Sequence, residues 1–178
     1  MFHAWTMCIL DELRDRMAAY LSHHRVCVIS TTGAAACPEP FDELRTALVE
    51  GDVWAIPVRY RSRGLEVECL VPRWADVAYH LEQDPGACPE RCPEPVEGPS
   101  RRVLLVVQAC YAAGLRWLQV QGIARPVVAP DWRGLLPGWS SAVPPDDVYL
   151  VVHVTPRRID LFDESLDRGM RETLEIGD

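Results

Sequence analysis

Residues 53–71 constrain this chain more than any other stretch of it. Trp54, Ile56, Val58 and Tyr60 occupy every second position, and so do Leu65, Val67, Cys69 and Val71, with Glu66 and Glu68 between. A period of two puts such residues on one face of a β-strand. Ser62-Arg63-Gly64 between the two runs is a tight-turn signal. The stretch predicts an antiparallel hairpin with one buried and one wet face.

The flanking sequence supplies more strands and a few helices. Ile9, Leu13, Met17 and Leu21 recur every four residues among charged neighbours, the pattern of an amphipathic helix that ends at His23-His24. Val26-Cys27-Val28-Ile29 reads as a buried strand closed by Thr31-Thr32-Gly33. After the hairpin, Trp74, Val77, Ala78 and Leu81 fall at helical spacing, and Asp84-Pro85 stops that helix. Val103–Ala109 is a continuous apolar run, and Leu118, Val120, Gly122 and Ala124 share one face of the next strand. A Pro/Trp-rich loop spans Pro126–Pro145; Val148–Val154 is the last strong strand, with Ile159–Phe162 extending its pairing. About six strands with a few short flanking helices predict a mainly β (α+β) fold, a closed or nearly closed antiparallel barrel.

Composition bounds what such a barrel does. The chain has 178 residues, enough for one domain spanning 1–178 and short for two. Its formal charge of −8 is the wrong sign for gripping nucleic acid through phosphates. Arg59, Arg61 and Arg63 form one short basic patch, sufficient for a single small anion. No segment reaches the roughly 20 apolar residues that span a bilayer. The N-terminus is broken up by His3, Asp11, Glu12 and Arg14, so no membrane is expected and the cytoplasm is the expected compartment. Of seven cysteines, Cys27, Cys69 and Cys110 lie in apolar runs and read as small hydrophobes. Cys88 and Cys92 have no second pair at zinc-site distance, so no metal is expected.

Two stretches break the pattern and resemble each other. Residues 36–51 read ACPEPFDELRTALVEG and residues 87–100 read ACPERCPEPVEGPS. They lack the fixed period and shared core face of solenoid repeats. They resemble translated palindromic repeat elements and are expected to be insertions without a catalytic role; the plainer alternative is a pair of ordinary Pro-rich loops, though long structureless loops are uncommon in compact domains.

Four pieces carry a family resemblance: the opening helix and strand, Ile56-Pro57-Val58-Arg59-Tyr60, the strand-to-helix passage ending in Leu81-Glu82-Gln83-Asp84-Pro85, and Gln121-Gly122-Ile123-Ala124. In this order and spacing they resemble the pyridoxamine 5′-phosphate oxidase-like FMN-binding split β-barrel superfamily, across most of residues 8–162. The resemblance implies a six-stranded antiparallel split barrel and a homodimer with FMN in a groove at the subunit interface. It also implies flavin-dependent oxidoreductase chemistry on a small substrate. Carried over by position, the FMN-binding residues are Pro57, Val58, Arg59 and Tyr60 on the second strand. Val71, Arg73, Trp74 and Ala75 follow on the third strand and at the start of its helix.

The chain departs from that pattern where the family places a hydroxyl residue, an arginine and a lysine. Here stand Ala75, Asp76 and Val77, and an acid there repels a phosphate. Arg73 and Arg59 are the candidate replacements. Plainer roles stand beside these: Arg73 pairing Glu68 on the surface, Arg59 and Arg61 facing solvent, Trp74 anchoring its helix in the core, His153 satisfied in a core or an interface. Trp132 and Trp139 either line a pocket or pack their loop down.

No nucleophile stands beside a base, Ser140-Ser141 lacks a glycine-flanked elbow, and no catalytic residue is assigned. Flavin chemistry needs few, because the cofactor carries the redox step. Pyridoxamine 5′-phosphate oxidase activity itself is not expected, since only Arg157-Arg158 and Arg171 offer basic residues near the C-terminus. The competing readings are a degenerate, non-enzymatic barrel binding another cofactor, haem or deazaflavin, and an interaction module using the loop at 126–145.

Overall fold

The computed structural model of the chain describes residues 2–32, 53–82, 101–111, 114–165 and 170–177. Helix α1 (Phe2–His23) precedes strands β1 (Val26–Thr32), β2 (Val53–Arg63) and β3 (Glu66–Pro72). Helix α2 (Asp76–Glu82) leads to β4 (Arg101–Tyr111) and β5 (Gly114–Pro126). Two one-turn helices, α3 (Trp132–Leu135) and α4 (Pro145–Val148), come before β6 (Tyr149–Asp163) and β7 (Met170–Glu175).

The strands are antiparallel in the order β3-β2-β1-β4-β5-β6-β7, and β3 also pairs with β6. That pairing closes six strands into a barrel and removes their edges; β7 adds outside it, along Arg158–Asp163 of β6. The β2–β3 hairpin forms as its alternation predicts, with Arg63 opposite Glu66 and Gly64 at φ +63° in the turn.

The inward rows make one core. It contains Cys27 and Ile29 of β1, Val58 and Tyr60 of β2, Val67, Cys69 and Val71 of β3, and Leu105 and Val107 of β4. Leu118 and Val120 of β5 and Val152, Val154, Ile159 and Leu161 of β6 complete the barrel's share. Leu13, Met17 and Leu21 of α1 close one side of it, and Val77, Ala78 and Leu81 of α2 pack in as well. Cys27 and Cys69 are free and buried, as expected of small hydrophobes.

Three elements differ from the sequence reading. β6 is one strand where two pieces were expected, and a register shift opposite Gln121/Gly122 explains the break. Its inward row runs Val152, Val154, Pro156 and then resumes at Ile159 and Leu161, so one extra residue enters there and Arg157 and Arg158 are both left on the outer side. β7 was not expected, because only Leu174 in it is buried. The Pro/Trp-rich segment carries the short helix α3 and ends where α4 begins.

The repeat-like stretches 36–51 and 87–100, with Cys37, Cys88 and Cys92, lie outside the described residues, as do the side chains of Cys8 and Cys110. Among the described residues no helix is long and apolar enough to cross a membrane.

Candidate functional site

The residues expected to hold a cofactor divide between the barrel's inside and outside. Val58, Tyr60 and Val71 point into the core. Tyr60 is spent structurally: its hydroxyl donates to the Leu21 carbonyl over 2.8 Å, and burial pushes its pKa upward. Pro57 and Arg59 face outward and are exposed. Arg73 and Trp74 form the turn after β3, and Ala75 is buried just before α2.

Trp74 does not anchor its helix. It precedes α2 and is 79% exposed. Its helical spacing to Val77 and Leu81 is coincidental, because the chain is still turning at residue 74.

Trp74, Ala75, Asp76 and Val77 line a cleft of about 170 Å3 with Trp54, Ala55 and Ile56 of β2. The fold thus brings the β3–α2 turn against the start of β2, and of the residues carried over from the resemblance the cleft contains only Trp74 and Ala75. The chemistry is different. Arg73 turns away: its Nε donates to the Asp146 carbonyl over 2.6 Å, and its guanidinium pairs with Glu82, not with Glu68. Glu68 instead receives Arg61 at 2.9 Å. Arg61 also binds Asp131 at 2.9 Å, and so is not a plainly solvent-facing residue. That guanidinium, with the Gly134 amide, holds the Asp131 carboxyl below its usual range.

These residues do not fit a dianionic phosphate. The cleft offers the Asp76 carboxylate, the buried Val77 methyls and two indoles, and its neighbouring guanidinium is satisfied elsewhere. A phosphate needs charge-assisted donors, and among the described lining residues there is no cationic one.

A second feature was not anticipated from sequence. A groove of about 790 Å3 is lined by residues of five strands, among them Ser30, Arg102, Leu104, Gln119, Gln121 and Arg157. Register explains the convergence: Ser30 lies opposite Leu104, and Leu104 opposite Gln121. The irregularity in β6 puts Arg157 beside Gln121 and Gly122. At Gly122 an added Cβ would stand 2.5 Å from the Thr155 carbonyl oxygen, so the β5–β6 approach requires glycine. Gln121-Gly122 was legible as part of the family strand; the groove it joins was not.

Two further candidates, His153 and Trp139, are settled by their surroundings. His153 is half-exposed, outside the core, with Nε2 3.7 Å from a Glu66 oxygen. Trp139 donates to the Val143 carbonyl over 3.1 Å and sits edge-on to Tyr149, so it packs its own loop. No group of three metal-ligating side chains occurs among the described residues.

The fold recurs in solved structures. The chain superposes on a protein of the pyridoxinephosphate oxidase family from Clostridium acetobutylicum, related to general stress protein 26 of B. subtilis. The TM-score is 0.57 at 9% identity, over 93% of this chain and 96% of that one. It matches general stress protein 26 of Bacillus anthracis with a TM-score of 0.52 at 12% identity, over 91% and 98% of the two chains. A heme binding protein from Mycobacterium smegmatis matches at 0.51 and 15% identity, over 90% of this chain and 56% of that one. These likenesses establish the split-barrel fold. No protein-family model and no curated protein matches the sequence.

Proposed function

We propose that this chain is a homodimeric split barrel that binds a planar, anionic redox cofactor of the flavin class, with FMN the leading candidate, in the outer-face groove. One observation carries the reading: the groove joins hydrogen-bonding side chains (Ser30, Gln119, Gln121) and apolar walls (Leu104, Ile123, Val53) to two guanidiniums, Arg102 and Arg157. A flat ring wants an apolar slot with a few polar contacts, and its acidic arm wants arginine. The volume lies within the range of about 300–1,000 Å3 usual for such sites.

Dimerisation is supported by the surface beside the groove. Val26, Val28 and Val53 are exposed on β1 and β2, next to outward-facing Ala55 and Pro57. An apolar strip of that kind on a soluble barrel marks an interface. On this reading the protein positions a flavin whose own chemistry serves an oxidoreductase acting on a small substrate. It works in the cytoplasm, where the free thiols of Cys27 and Cys69 stay reduced.

A second reading, haem in the same groove, rests on the groove's paired arginines. Haem carries carboxylates that Arg102 and Arg157 would pair as well as they would a phosphate.

An absorbance spectrum of the purified protein, followed by titration with FMN and with haemin, tests both. Binding of FMN that Arg102→Glu and Arg157→Glu each weaken at least tenfold is expected. Binding of haemin alone moves the assignment to the second reading, and uptake of neither overturns the proposal. Gel filtration reads the dimer directly.

A further inference from the structure

The cleft at the β3–α2 turn has an exposed indole to explain, and a carboxylate without a partner among the described residues. Trp74 is 79% exposed although it adjoins buried Ala75 and Val77. Asp76 stands on the same cleft, and no hydrogen bond or ion pair joins it to another described residue. Arg73, three residues away, would neutralise it but is held by the Asp146 carbonyl and Glu82. Trp54, on the opposite wall, is fixed by stacking on His80 at 3.7 Å between ring centroids.

Aromatic faces beside a carboxylate attract cations. The ring quadrupole and the negative charge act in the same direction, and quaternary ammonium groups are the ligands best matched to such walls because they need no hydrogen bonds. The opposite ligand, an anion, meets only repulsion from Asp76. At about 170 Å3 the cleft is too small for a flavin or haem, but ample for the head of a methylated ammonium.

We propose that the cleft formed by Trp54, Trp74 and Asp76 binds a small organic ammonium group, methylated amines of the choline kind being the best-matched class. The position that would otherwise receive a phosphate is thereby inverted in charge. The inference rests on the cleft alone and stands whether or not the groove holds a cofactor.

Choline chloride titrated into the full-length protein at low ionic strength, followed by tryptophan fluorescence, tests it. Sodium chloride corrects for salt and 3,3-dimethylbutan-1-ol serves as the uncharged isostere. A saturable change with a dissociation constant on the order of millimolar is expected, as befits a partly exposed cation–aromatic contact. Trp74→Leu abolishes that change, and Asp76→Asn weakens binding about fivefold, the scale of a surface charge contact. Both side chains are exposed, and unchanged thermal unfolding of the variants shows that they fold. Equal binding of the alcohol, an unaltered response in Trp74→Leu, or no saturation each overturns the proposal.

Discussion

The indole of Trp54 lies over the imidazole of His80, with ring centroids 3.7 Å apart and planes inclined by 26°. One ring comes from the start of β2 and the other from α2, so the stack ties the helix to the barrel where the cleft opens.

His80→Ala should therefore cost about 1 kcal/mol of stability, the usual worth of an offset ring pair. Trp54→Ala removes half-buried apolar surface too and should cost about 2 kcal/mol. Because the pair is one interaction, the double variant should lose little more than Trp54→Ala alone. Urea unfolding of the three variants measures this, and strict additivity would show the stack to be energetically empty.

Asp160 gives the chain an acid-sensitive joint. Its side chain is fully buried on the outer side of β6. Burial raises its pKa, but donors from Arg171, Thr173 and Arg158 outweigh that and hold the carboxyl at about 2. A folded pKa below the unfolded 3.8 stabilises the protein above pH 4, and that contribution disappears as the pH falls from about 4 to 2. Asp160→Asn should remove this part of the acid transition. It should also cost about 2 kcal/mol near neutral pH, the scale of hydrogen bonds to a charged group, because Arg158, Arg171 and Thr173 lose the carboxylate they share. Stability measured against pH for both proteins checks the sign and the window.

The hairpin and the barrel were legible because strand alternation survives in single residues: Trp54, Ile56, Val58 and Tyr60 did fall on one face. The departure at Asp76-Val77 was equally plain in sequence, and the cleft's chemistry follows it. Other features are not local. The groove takes only a few residues from each of five strands, and register alone brings Ser30, Leu104 and Gln121 together. The irregularity in β6 hid strand continuity by stretching the inward spacing from Pro156 to Ile159. Trp74 misled because helical spacing counts positions, and the helix starts only at Asp76.

Cys27 and Cys69 place their sulfurs 4.0 Å apart inside the barrel, on strands separated by β2. Contact with Cys27, together with burial, drives the Cys69 thiol well above its ordinary pKa, so it holds its proton and is a poor nucleophile. Alkylation of the native protein at pH 8, mapped by mass spectrometry, should leave both residues unmodified, and unfolding should expose them. Labelling of either at a rate unchanged by folding would contradict their burial.

Gly122 should tolerate no side chain. Alanine there would place Cβ 2.5 Å from the Thr155 carbonyl oxygen and 3.1 Å from Val154 Cγ1, so β5 and β6 must separate. Gly122→Ala is expected to cost about 2–3 kcal/mol, the upper range for overpacking. It should also weaken any ligand of the groove, whose wall includes Gly122. Thermal unfolding alongside cofactor titration separates the two effects.

The chain between β1 and β2 offers the most direct test of the insertion reading. Thr32 at the end of β1 lies opposite Val53 at the start of β2, so the two strands are already paired where residues 33–52 depart. A connection of two to four residues suffices to close such a hairpin. Replacing 33–52 by Asn-Gly or a short glycine-containing turn should therefore leave the barrel folded. Loop entropy should favour it slightly, by about 1–2 kcal/mol for shortening the loop severalfold. If residues 36–51 are an insertion without a role, the shortened protein should be soluble, with thermal unfolding raised by a few degrees and ligand uptake unchanged. Insoluble protein, or loss of ligand with the fold intact, would mean that the segment packs on the barrel or completes the groove at Val53 and Thr31, which lie beside the points where it leaves and returns.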